Sequence, residues 1–156
     1  MKDLASNALE QDYSWSFTTA ADTTPPETTI GSGPSGYVKS TSASFAFSSS
    51  EEGSTFKCSR DGSSFTDCTS PKSYPGPLSQ GNHTFQVKAI DKSGNIAGTP
   101  ASRSWFVDSI VPKGTIAING GNASTSSRSV TLRLSASDPS PASGVASMRF
   151  SMESSA

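Results

Sequence analysis

The chain has 156 residues and a formal net charge of −1, and only 16% of its residues are charged. No run of like charge exceeds two residues, which excludes a basic stripe for nucleic acid or anionic lipid, and no apolar stretch exceeds three, which excludes a membrane-spanning helix. Serine and threonine make up nearly a third of the chain and hydrophobic residues 32%, a lean, β-branched composition that favours strands over helices.

From the N-terminus, Met1-Lys2-Asp3 leads into polar residues without the apolar core of a secretion signal. Asp22-Thr-Thr-Pro25-Pro26 predicts an extended, semi-rigid linker, because proline fixes φ and biases its predecessor away from the helix. Beyond it the apolar period is two. Ala43, Phe45 and Phe47 alternate with Ser44, Ala46 and Ser48; Phe85, Val87 and Ala89 alternate with Thr84, Gln86 and Lys88; Trp105 and Val107 face away from Ser104 and Phe106. Half-buried antiparallel strands read this way. Turn clusters at 31–36, 50–54, 61–64, 71–77, 79–82 and 91–95 recur at a spacing of roughly ten residues, so about seven short strands are expected between 22 and 108. Phe45, Phe47, Phe56, Phe85, Val87 and Trp105 are the expected core, and Asp108–Pro112 is a second linker of the first kind.

The chain also repeats itself. Asp3–Asn7 aligns with Asp91–Asn95, Ser14-Trp15 with Ser104-Trp105, and Asp22–Ile30 with Asp108–Ile116. Ala43–Ser48 aligns with Val130–Ser135, and Phe56–Ser59 with Met148–Ser151. One complete unit is therefore expected at 22–108. Residues 1–20 read as the last strands of a preceding unit, and 112–156 as the first strands of a following, truncated one. The sequence reads as a window on a tandem array, with any secretion signal lying outside it.

The stretch "SASFAFSSSEEGSTFKCSRDGSSFTDC…GNHTFQVKAIDKSGN…SWFVD" resembles the tandem immunoglobulin-like repeats of bacterial surface and secreted proteins. The opening "KDLASNALEQDYSWSFTT" is similar to the end of the Ig-like domain of bacterial S-layer and cell-wall proteins. The resemblance implies an all-β fold, an Ig-like or fibronectin-III-like Greek-key β-sandwich, with one complete module flanked by two partial ones. It also implies an extracellular or cell-surface location and a non-catalytic role as stalk, spacer or adhesion scaffold. The implied partners are neighbouring modules of the same chain and, in the adhesion variant, a cell-wall or host glycan or protein. Nucleic acid and direct membrane insertion are not expected. In antibody domains the disulfide joins the two sheets, whereas here both cysteines fall in one hairpin.

Those cysteines, Cys58 and Cys68, are the only two. Structural zinc takes four ligands, with cysteine pairs two to four apart, and a redox pair wants two intervening residues beside a helix; neither pattern is present. A turn at Asp61–Phe65, with Gly62 at positive φ, would set Cys58 and Cys68 opposite each other about Ser63, within disulfide reach. Two reduced core cysteines are the alternative. A disulfide implies an oxidising compartment.

No catalytic constellation or cofactor site is legible. His83, the only histidine, is expected to be an exposed residue at a strand start. Glu51-Glu52 is the only adjacent carboxylate pair, and neighbours on a turn point apart. Asp91-Lys-Ser-Gly94-Asn95 reads as a hairpin turn in which Asp91 accepts the turn's own N–H groups. A sharper reading is calcium held by Asp91, Asn95 and Asp108, with Asp22 as a further candidate at a module junction, although calcium prefers more oxygen ligands than these supply. For ligand binding through loops, the candidates are Tyr37, Phe65 and Tyr74; an exposed cluster of them would favour binding, and buried tyrosines a spacer.

Overall fold

A computed structural model describes residues 14–122 and 124–149. Ten strands run in the order β1 (Thr28–Ser32), β2 (Gly36–Val38), β3 (Ala43–Ser49), β4 (Thr55–Arg60), β5 (Thr66–Cys68), β6 (Lys72–Tyr74), β7 (Gly81–Ile90), β8 (Ala101–Val107), β9 (Lys113–Ile118) and β10 (Leu132–Ser137). The only helical element among the described residues is a 3-10 turn at Asn119–Gly121. The first eight strands form a three-stranded sheet, β1-β3-β6, and a five-stranded sheet, β2-β8-β7-β4-β5. All pairings are antiparallel except β2 with β8, where Gly36, Tyr37 and Val38 lie parallel to Trp105, Phe106 and Val107.

The two sheets pack face to face because each strand with period-two apolar residues turns the same parity inward. From the smaller sheet come Ala43, Phe45 and Phe47; from the larger come Cys58, Phe85, Val87, Trp105 and Val107, all buried in one cluster with Leu78. The Phe45 and Phe85 rings stack across the sheets at 4.1 Å and 11°, and Trp105 lies 5.1 Å from Phe45. Phe56 is only partly buried and meets Phe47 edge-on at 5.0 Å. At the sheet edge, the Arg103 guanidinium donates to the Gly33 carbonyl at 3.0 Å, tying β8 to the end of β1.

Two expectations change in detail. Lys72-Ser-Tyr74, inside the expected turn at 71–77, is a strand paired with Ala43–Phe45. Pro71 and Pro75 bracket it, so it can only be a short edge strand. The cysteines do form a disulfide, with Cα atoms 5.9 Å apart, but they are not directly opposite. Cys58 faces Thr66, and Cys68 faces Phe56. The turn closes with the Ser63 N–H on the Arg60 carbonyl, and both Asp61 (φ 53°) and Gly62 (φ 76°) are left-handed. One extra residue then precedes β5, so the bridge runs diagonally to the neighbour two positions along, still on the same face.

The unit is entered and left at opposite ends. β1 starts beside Ser49, and the Ala89 N–H donates to Thr28 Oγ1 near the C-terminal end of β7. β8 finishes with Val107 paired to Gly81, the first residue of β7. The ten residues of β7 separate these poles by about 30 Å.

The flanks differ from the unit. Residues 14–27 form no strand, and the match of Asp3–Asn7 lies outside the described residues. At the other end, β9 and β10 form a two-stranded sheet. Its register, Leu134 to Ile116 and Ala136 to Gly114, is that of β1 and β3 at the aligned positions, Phe47 to Ile30 and Ser49 to Thr28.

Two measurements check this packing. Phe85→Ala is expected to cost about 3–5 kcal/mol in urea unfolding, since a fully buried stacked ring is removed. Replacing both cysteines by serine is expected to cost about 2–3 kcal/mol, the loop-closure value for so short a span. The same loss should follow reduction of the wild type, and reduction should not affect the double variant.

Candidate functional site

Polar side chains gather at the two poles, where strand parity runs out and turns take over. At the N-terminal pole, the turn after β7 brings Asp91 inward, 8% exposed. Its Oδ1 accepts the Asn95 N–H and its Oδ2 the Asn95 Nδ2, both at 2.8 Å. The same Nδ2 donates to the Asp22 carbonyl at 3.0 Å, so the first linker is held against the turn. Carboxylate oxygens of Asp22, Glu51 and Asp91 lie within 4.8 Å of one another.

The electrostatics follow from this arrangement. Burial opposes ionisation of Asp91, but hydrogen bonds from Asn95, Ser93 and Gly94 outweigh it and hold the carboxyl below its ordinary range. Glu51 accepts no such compensation: desolvation, then the negative charges of Asp22 and Asp91, raise its carboxyl above its usual value. Of the residues singled out for calcium, the structure brings Asp91 and Asn95 together with Asp22. Asp108 sits at the opposite pole, where Oδ1 accepts the Ile110 N–H and Oδ2 the Ser143 N–H at 2.7 Å. Three carboxylates are an oxygen set suited to a hard cation, yet both Asp91 oxygens are already engaged by Asn95. Glu51 was weighed only as half of the Glu51-Glu52 pair and not as a calcium ligand. Counting strand directions would have found it, because β3 and β7 end at the same pole.

At the C-terminal pole, His83 is not the exposed strand-start residue expected. It is 5% exposed and stacks on Trp105 at 5.2 Å. It shares the parity of Phe85 and Val87, which was the available signal. Nδ1 lies 2.8 Å from Asp61 Oδ2, and Nε2 lies 2.9 Å from the Ser79 carbonyl. The Thr84 N–H donates to Asp61 Oδ1 at 2.8 Å, and the Asp61 N–H to the Thr84 carbonyl. Histidine thus lies beside a carboxylate and near Ser79 Oγ, 3.5 Å from Nε2. Both ring nitrogens already face backbone or carboxylate acceptors, and a covered ring with its nitrogens so engaged is positioned to fasten the turn before β5 to β7. Burial disfavours ionisation of Asp61, but the hydrogen bonds from His83 and Thr84, with the neighbouring Arg60 guanidinium, hold its carboxyl below the usual aspartate range.

The three aromatic candidates do not meet. Tyr37 is 63% exposed on the outer face of the larger sheet, 4.9 Å from Phe106. Together with Gly36, Asn82 and Ser104 the pair lines a shallow cavity of about 230 Å³. Phe65 lies under the Lys88 ammonium in the β4–β5 turn. Tyr74 is half-buried, edge-on to Phe45 and Phe85, with Arg60 over its ring. No described helix is long and apolar enough to cross a membrane.

The pole carboxylates give opposite pH signatures. Asp61 and Asp91, with depressed values, stabilise above the unfolded value near 3.8, and that contribution is lost as pH falls through their lower folded values. Glu51, raised from 4.5, has the reverse sign: its charged form is disfavoured, so its penalty appears as pH rises through the folded value. Glu51→Gln is therefore expected to raise the thermal midpoint at neutral pH and to lose that advantage below about pH 4. Asp61→Asn should lower the midpoint at neutral pH and converge on the wild type in acid. Against protein-family models, curated proteins and solved structures alike, the chain has no match.

Proposed function

We propose that the chain is a non-catalytic spacer. In this reading it is a tandem series of Ig-like β-sandwich modules, with the complete one at 22–108, that projects other domains of a bacterial surface or secreted protein. The observation that carries the reading is the placement of the two linkers at opposite poles of one sandwich, about 30 Å apart along β7. A module entered at one end and left at the other adds length with every copy. Both linkers are also pinned. Pro26 is buried, the Glu27 and Ser50 backbones are joined by the Ser50 N–H on the Glu27 carbonyl, and Gln80 holds Ser109 through two hydrogen bonds of 2.8 Å.

Further support comes from the strand orders, β1-β3-β6 against β2-β8-β7-β4-β5, which suit a Greek-key sandwich of the Ig type in which successive strands change sheets. The shared register of β1–β3 and β9–β10 agrees with a repeated module. The disulfide belongs to non-reducing surroundings, which agrees with a place outside the cell. The test is the distance between spin labels at Thr24 and Ser109. A single narrow distribution above about 30 Å supports a stiff spacer, and a broad one, or a distance below about 20 Å, overturns it.

A second reading, adhesion to a glycan or protein, is favoured by the exposed Tyr37–Phe106 pair alone. An aromatic face beside Asn82 and Ser104 suits a sugar ring, with the amide and hydroxyl as hydrogen-bonding groups. If it holds, Tyr37→Ala abolishes retention on a glycan array; equal behaviour of variant and wild type removes this reading.

A further inference from the structure

Along one side of the sandwich, β6 is the edge of the smaller sheet and β5 the edge of the larger. Between them lies a cavity of about 180 Å³ walled by Cys58, Arg60, Ser63, Thr66, Lys72 and Tyr74. Every wall residue falls within 58–74, so the cavity belongs wholly to the complete unit. Arg60 from β4 and Lys72 from β6 come to the same ring: the guanidinium carbon lies 4.8 Å and the ammonium 5.5 Å from the centre of Tyr74. The ring face attracts both cations but neutralises neither. Arg60 Nε lies 3.3 Å from Asp61 Oδ2, an oxygen shared with His83 Nδ1 at 2.8 Å. Lys72 forms no ion pair among the described residues. The remaining polar walls are donors as well. Ser63 Oγ accepts the Arg60 N–H at 3.1 Å, which leaves its own proton to give, and Thr66 adds a second hydroxyl. Among the described residues, no carboxylate lines the cavity.

We infer that this cavity binds the sulfate or phosphate group of an esterified saccharide. A guanidinium, an ammonium and two hydroxyls, carried on β4, the turn after it, β5 and β6, make a three-dimensional donor set, which fits a tetrahedral oxyanion better than a planar carboxylate. An anion placed there balances Lys72 and gains charge-assisted hydrogen bonds in half-buried surroundings. The cavity is smaller than the roughly 300–1,000 Å³ that encloses a whole small molecule, so it takes one group and leaves the rest outside. That remainder has a place to lie. Cys58 lines the first cavity, and its disulfide partner Cys68 lines a second of about 530 Å³, with Phe56, Thr69 and Ser70. Phe56 and Cys58 are two apart on β4, so both cavities open on one face of the hairpin. The one carboxylate in the second, Asp67, is held by Lys57 at 2.7 Å. An aromatic ring bordered by hydroxyls matches the apolar carbons and the hydroxyls of a sugar. The Tyr37–Phe106 pair lies elsewhere, on the outer face of the larger sheet. A spacer can carry this site, and the site does not depend on the spacer.

The experiment follows the backbone amide resonances of the full, isotope-labelled chain during titration with glucose phosphate, glucose sulfate, glucose and inorganic phosphate. Concentrations reach tens of millimolar, a range suited to a single small group. At least one ester should shift the Ser63, Thr66 and Lys72 amides saturably, and glucose should not. Inorganic phosphate should bind about tenfold more weakly than its ester, which has the second cavity to lie against. Lys72→Gln should weaken the ester by about tenfold, the loss of one charge-assisted contact, while keeping the wild-type urea midpoint. Lys57→Gln removes the same charge from the Asp67 pair and should leave binding unchanged. Absence of a saturable shift overturns the site, as does binding that survives Lys72→Gln or is lost equally in Lys57→Gln, which would mean that net charge alone is at work. Equal affinity for inorganic phosphate and its ester overturns the saccharide and leaves a free ion as the ligand.

Discussion

Phe45 and Phe85 lie nearly parallel, 4.1 Å apart, one from each sheet. The sandwich depends on that contact because so little else is available to hold it. With 32% hydrophobic residues in the chain, the inner face must be built from a few large rings, and each must come from a strand whose parity is correct. Trp105 extends the stack on one side and is itself covered by His83, while Phe47 and Phe56 extend it on the other. The result is a continuous aromatic seam running along β7. A one-residue slip of any strand would turn its aromatic into water, so the seam specifies register as well as adding burial.

What the seam does not reach is held by short polar side chains. Asp61 and His83 fasten the turn before β5 to the first residues of β7, and Asn95 fastens the first linker to Asp91 at the far end of the same strand. Gln80 does the equivalent for the second linker. Polar side chains suit this task because they supply hydrogen-bond partners to backbone groups of a neighbouring turn or linker far along the chain, as Asp61 does for Thr84 and Asn95 for Asp22. The composition that makes the core lean therefore makes the poles well tied.

Much of this could be read directly from the residues. Alternation in 43–48, 84–89 and 104–107 placed five of the six expected core residues, all of them in the buried cluster, whereas Phe56, also expected in the core, is only partly buried against it. The two prolines around Lys72–Tyr74 hid a strand because proline signals breakage whether or not a partner strand is near. His83 was misread for a different reason: a histidine at a strand start looks polar, and only its parity says that it turns inward. The disulfide was legible as a pairing but not as a register, because the inserted residue after Gly62 depends on how Ser63 closes the turn.

Sequence alone determined the period of the strands and the placing of Cys58 and Cys68 within disulfide reach of each other, since each rests on residues close together. Only the tertiary structure decided that Asp22, Glu51 and Asp91 converge, that Asp108 lies at the other pole, and that Tyr37, Phe65 and Tyr74 occupy three separate places. Those relations join turns separated by tens of residues. They are set by the direction and length of the strands between the turns, which no local pattern encodes.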